Sequence, residues 1–122
     1  MALAAEIMRG GQSAGSAALF GGEASSTVTA AGTVITDATD LIKSINFVGT
    51  VAANTGVQLP TLMPGESVMV YNGGANSLKV YPGASTVQIN QLGVGVAMSL
   101  GTNTLCNYVG YSSTRVFAQL SA

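Results

Sequence analysis

The chain has 122 residues and a formal net charge of −1, and 7% of its residues are charged, against roughly 25% in an average soluble domain. At this length one domain can bury roughly two-thirds of its unfolded surface, enough for a single core. The four basic residues, Arg9, Lys43, Lys79 and Arg115, are scattered, so they form no stripe able to displace counterions from phosphates, and neither nucleic acid nor an anionic membrane is an expected partner.

The apolar fraction, 48%, is ordinary. The missing charge has therefore been replaced by Gly, Ser, Thr, Asn and Gln. Between Lys79 and Arg115 there is no charged side chain. Self-repulsion is what opposes association, so a surface this neutral suits an oligomer or a lattice better than an isolated monomer. Histidine is missing, which excludes Ser-His-Asp and Cys-His nucleophilic sites and the commonest general base. Cys106 is the single cysteine, so no intrachain disulfide or zinc cluster can form. The chain reads as a structural protein with no cofactor, not as an enzyme.

In chain order, residues 1–24 are rich in Ala, Gly and Ser. Leu3, Ile7 and Met8 have helical spacing, and Gly10-Gly11 would stop a helix there. A second apolar cluster, Ala17 to Phe20, precedes Gly21-Gly22. One or two helical turns bury little alone, so this segment reads as a docking arm, with Leu3, Ile7, Met8, Leu19 and Phe20 as candidate partner contacts. No basic residue precedes its apolar positions, unlike a secretory signal, and no apolar run approaches the length that crosses a bilayer. A soluble product made in its host's cytoplasm is the expectation.

Residues 25–122 read as strands. Val28, Val34-Ile35, Ile45 to Val48, Val57 to Leu59 and Val68 to Tyr71 are β-branched or aromatic runs separated by small polar residues. Asn72 to Asn76 has the composition of a β-hairpin tip, with Leu78 to Tyr81 as the return strand. Val87 to Ile89, Val96 to Leu100, Thr104 to Tyr111 and Thr114 to Leu120 follow, the last two joined at Ser112-Ser113. About nine short strands at this spacing predict an all-β, jelly-roll-like or Greek-key sandwich. Helix is expected only in the arm and around Asp37 to Leu41.

Few residues could carry chemistry. Asp37 and Asp40 are the close carboxylate pair; paired acids can bind Ca²⁺ or act on a glycosidic bond, but turn or helix-cap chemistry explains them as well. Gly93-Val94-Gly95-Val96 lacks the Lys-Ser or Lys-Thr of a phosphate loop. Tyr71, Tyr81, Tyr108 and Tyr111 could line a sugar platform, although tyrosines at strand ends more often pack half-buried with a wet hydroxyl. Cys106 shares a strand face with Tyr108 and reads as a small buried apolar residue.

The run Thr55-Gly56-Val57-Gln58-Leu59-Pro60, with Pro64-Gly65, Val68-Met69-Val70-Tyr71-Asn72, Gly74-Ala75-Asn76, Leu78-Lys79-Val80-Tyr81-Pro82 and Ile89-Asn90, resembles a small β domain of tailed-phage virion proteins. The match spans about residues 45–100. The Ser113 to Phe117 segment lacks the aromatic pair that the family often carries before its last strand, and the arm has no counterpart. The resemblance implies a homotrimeric capsid decoration (cement) protein on the virion surface, with the major capsid protein as partner. The alternative it implies is a head-fibre or tail-associated module that binds a receptor or glycan.

Overall fold

The computed structural model describes residues 23–121. Leu3, Ile7, Met8, Leu19 and Phe20, and most of the segment read as an arm, lie outside the described residues. The described chain is all β, with ten strands and no helix. They are β1 (Val28–Thr29), β2 (Thr39–Asp40), β3 (Ile45–Thr50), β4 (Gly56–Gln58), β5 (Ser67–Asn72), β6 (Leu78–Tyr81), β7 (Gln88–Ile89), β8 (Met98–Leu100), β9 (Thr104–Ser112) and β10 (Arg115–Leu120).

Two sheets enclose the core: a six-stranded sheet in the order β1-β3-β5-β9-β10-β7 and a four-stranded sheet in the order β2-β4-β6-β8. From β1 to β6 the chain alternates between the sheets, and each strand lies parallel to the one two positions earlier. Val28, Val48 and Asn72 stack in one sheet, and Thr39, Val57 and Val80 in the other. This is a short β-solenoid of three stacked rungs and not the expected jelly roll, whose Greek keys are built from antiparallel strands. The antiparallel part follows: β8 closes the smaller sheet against β6, and the β9–β10 hairpin extends the larger one from β5, with β7 as its last strand, parallel to β10.

The expected hairpin at Asn72 to Asn76 is therefore an arch between sheets. Its β5 and β6 flanks do not pair with each other. Asn72 makes the corner. Its side chain is fully buried, its Nδ2 donates to the carbonyls of Asn76 and Leu100 (both 2.9 Å), and its Oδ1 accepts from the Gly74 amide (2.9 Å). Asn76 Nδ2 reaches back to the Val51 carbonyl of the preceding rung (2.9 Å). A Cβ on Gly74 would stand 2.6 Å from Val51 Cγ2, closer than side chains pack, so glycine is what lets the arch close.

Two other expectations are corrected. Val34-Ile35 and Asp37 form a turn, with the Asp37 and Ala38 amides donating to the Val34 carbonyl, and Thr39–Asp40 is a strand, so no helix forms at Asp37 to Leu41. A two-residue strand beside β4 supplies inter-strand bonds that one helical turn could not match. The Pro64-Gly65 turn is present: Glu66 N donates to the Met63 carbonyl (3.0 Å) and Gly65 takes φ +90°, the conformation a type II turn requires after Pro.

Between the sheets, Val48, Val57, Val68, Val70, Leu78, Val80, Ile89 and Leu100 are fully buried, with Leu59, Leu41 and Val116 nearly so. Cys106 and Tyr108 are fully buried beside them. Burial pushes the Cys106 thiol above its ordinary range, and it pushes the Tyr108 phenol up as well.

Candidate functional site

A strand sends alternate side chains to opposite faces. In the large sheet, Val48, Val68, Val70, Cys106, Tyr108 and Val116 point into the core. Their neighbours point outward, and most of these are also apolar. The register lines up three rows across the outer face: Ile45, Met69, Asn107 and Gln119; Phe47, Tyr71 and Leu105; Ser67, Val109 and Phe117. Ile45 (43%), Phe47 (46%), Phe117 (41%) and Tyr111 (64%) are exposed there.

The aromatic members are seated by local structure. The Phe47 and Tyr71 rings stack with centroids 5.8 Å apart and planes 11° from parallel. The Phe47 ring lies over Gly49 and Gly73, where a Cβ would come within 2.9 and 2.7 Å of ring carbons. Tyr111 and Phe117 form a second, tilted pair with centroids 5.1 Å apart. Strands β3, β5, β9 and β10 carry one Asp, Glu, Lys or Arg residue between them, Arg115. Its guanidinium donates to Gln88 Oε1 (2.6 Å). The face is apolar, aromatic and almost uncharged.

No family model, curated protein or solved structure gives a match to this chain.

At the edge of this sheet, Glu23 accepts a hydrogen bond from Lys43 Nζ at 2.8 Å, and that bond holds its carboxyl below the ordinary carboxylate range. The Ser44 and Ile45 amides both donate to the Glu23 carbonyl (3.1 Å). Residue 23 is thus fixed beside Ile45, at the rim of the apolar face.

The smaller sheet differs. Its outer side carries Asp40, Gln58, Lys79 and Ser99. An open cleft of about 550 Å³ lies there, lined by Asn54, Asn76, Ser77, Lys79, Tyr81 and Ser99 among others.

The chemistry candidates are dispersed. Asp37 and Asp40 are both exposed, one in a turn and one on β2. Among the described residues, no group of three or more His, Cys, Asp and Glu side chains comes together. The four tyrosines do not form one platform. Tyr108 is in the core, Tyr81 is buried with its hydroxyl donating to the Thr33 carbonyl (3.0 Å), and Tyr71 and Tyr111 belong to separate ring pairs. No helix among the described residues is long and apolar enough to cross a membrane.

The apolar outer face was not singled out from the sequence, but its signal was present. In Ile45 to Val48, Val68 to Tyr71 and Leu105 to Tyr111, both alternating sets are largely apolar, the mark of a sheet covered on both sides.

Proposed function

We propose that this protein is a bacteriophage capsid decoration protein: a self-associating β domain that packs on the outside of the major capsid lattice and stabilises the head. The observation that carries this reading is the aromatic, nearly uncharged outer face of the large sheet, which an isolated protomer leaves in water. Contiguous exposed apolar surface of this kind marks interaction sites. The likeness of residues 45–100 to virion β domains directs it toward a phage shell.

The proposed mechanism is burial of neutral surface at junctions between shell subunits. At about 25 cal/mol per Å² of apolar area removed from water, a few hundred Å² per contact gives several kcal/mol. Repetition over a lattice multiplies the effect. On this reading the protein is assembled in the host cytoplasm and resides on the virion surface. Residues 1–22, through Leu3, Ile7, Met8, Leu19 and Phe20, supply a second attachment to the shell.

The test is copurification with intact particles and the copy number per capsid subunit. A stoichiometric, surface-accessible component is expected; a protein that never accompanies particles would refute the proposal. Deleting Met1 to Gly22 should leave a folded domain that no longer binds shells. The cleft beside Lys79 favours one alternative, a head-fibre or tail-associated receptor or glycan module. Glycan-array binding that disappears in Lys79→Ala would support it.

A further inference from the structure

We infer that the outer face of the six-stranded sheet packs against the same face of a second copy of this chain, making a twofold pair. The inference names the neighbour that the assembly reading requires, but it does not depend on that neighbour sitting on a capsid.

Three observations select a second copy as the occupant. The first is charge. Arg115, held by Gln88 Oε1 beside the edge strand β7, is the one Asp, Glu, Lys or Arg on β3, β5, β9 and β10, so two such faces meet with a single cation per copy, near the sheet edge, and little other charge to repel or to strip of water. A partner chosen by charge would find nothing to read on this face.

The second is size. Four strands about 4.8 Å apart and six residues long cover a plane of roughly 400 Å² in projection. The relief of Phe47, Tyr71, Tyr111 and Phe117 raises the accessible area above that. Two copies thus bury around 1,000 Å² in total, the lower bound for a specific interface. Pairing is therefore expected to depend on concentration.

The third is chemistry. The face presents two aromatic pairs, Phe47 with Tyr71 and Tyr111 with Phe117, toward its opposite ends, with Ile45, Met69, Asn107 and Gln119 in the row between them. Aromatic anchors with few charges are what the centre of an interface is made of. A face that meets itself closes with two copies, because the contact is isologous. The resemblance implies a trimer; contact of this face with itself gives a pair.

Sedimentation velocity on the full chain, from about 1 µM to about 1 mM, tests this. The monomer mass is 12.2 kDa. A shift toward twice that mass is expected, and the double variant Phe47→Asp/Phe117→Asp should weaken the pairing by about tenfold or more. Both side chains point outward, so its circular dichroism should match that of the parent, and at dilutions where the parent is monomeric its melting temperature should fall by only a few degrees. Val94→Asp, an exposed apolar position outside the strands (60%), should pair normally.

A full chain that stays monomeric across the range overturns the inference. So does a trimer, or pairing untouched by the double variant. If the full chain is monomeric and removal of Met1 to Gly22 releases pairing, the face is covered by the chain's own first residues and the inference fails. A pairing protein that binds no phage shell refutes the capsid reading and leaves the pair standing.

Discussion

The two sheets share one core and have opposite exteriors. The four-stranded sheet shows water Asp40, Gln58, Lys79 and Ser99, the polar half of an ordinary alternating pattern. The six-stranded sheet shows Ile45, Phe47, Val109, Tyr111 and Phe117. Both inner faces carry the buried valines and leucines of the shared core, so folding demands burial of each. The difference lies in the outer faces, and the outward aromatics of the six-stranded sheet are what the proposed contact rests on.

The sharpest way to test that contrast is to compare an inward with an outward truncation. Leu78→Ala removes a fully buried side chain from between the sheets and should cost about 2–5 kcal/mol in chemical denaturation. Phe47→Ser on the outer face should cost less than about 1.5 kcal/mol in the dilute monomer. Equal losses would erase the distinction between core and contact face.

The arch is the next target. Asn72→Ala deletes three hydrogen bonds at a fully buried position and leaves the Gly74 amide and two carbonyls short of a partner. A loss of about 2–4 kcal/mol is expected in urea melts, since each orphaned buried group costs about 1–3 kcal/mol and neighbours relax in part. A hairpin tip exposed to water would lose far less, so a loss below about 1 kcal/mol would contradict the arch.

Smaller effects come from the paired thiol and phenol inside the large sheet. The folded Cys106 thiol has its pKa raised by burial. The unfolded chain therefore releases this proton first as pH climbs. Stability is fully present below the unfolded thiol's pKa and declines above it, until the folded thiol also ionises. Melting temperature should fall across pH 8 to 10, and Cys106→Ala should flatten that slope; an unchanged slope would assign it elsewhere. A thiol reagent should label Cys106 only on unfolding. The smallest change expected is Tyr108→Phe. Among the described residues the buried Tyr108 hydroxyl meets no nitrogen or oxygen partner, only the weak Cys106 thiol beside it, so its removal should alter stability by less than about 1 kcal/mol, in either direction.

Much of this was legible in the residues. The positions of β3, β5, β9 and β10 follow from runs such as Ile45 to Val48 and Val68 to Tyr71, and the burial of Cys106 from its place in an apolar strand. Val34-Ile35 misled, because two β-branched residues raise strand propensity even where a turn leaves Val34 exposed (48%). The segment with Leu3, Ile7, Met8, Leu19 and Phe20 lies outside the described residues.

The sequence by itself determined the all-β character of the described residues, where most of their strands run, the Pro64-Gly65 turn and a surface poor in charge, because each is written in local composition and period. Tertiary structure alone decided that Asn72 to Asn76 arches between sheets. Hairpin and arch both want glycine and asparagine at the bend, and both place Val70 and Val80 on alternating, buried positions. In a hairpin those two side chains would lie side by side on one sheet; here they sit in opposite sheets across the core. Period two records which side chains turn inward. It is silent on which strand supplies the hydrogen bonds, and that choice separates a solenoid from a jelly roll.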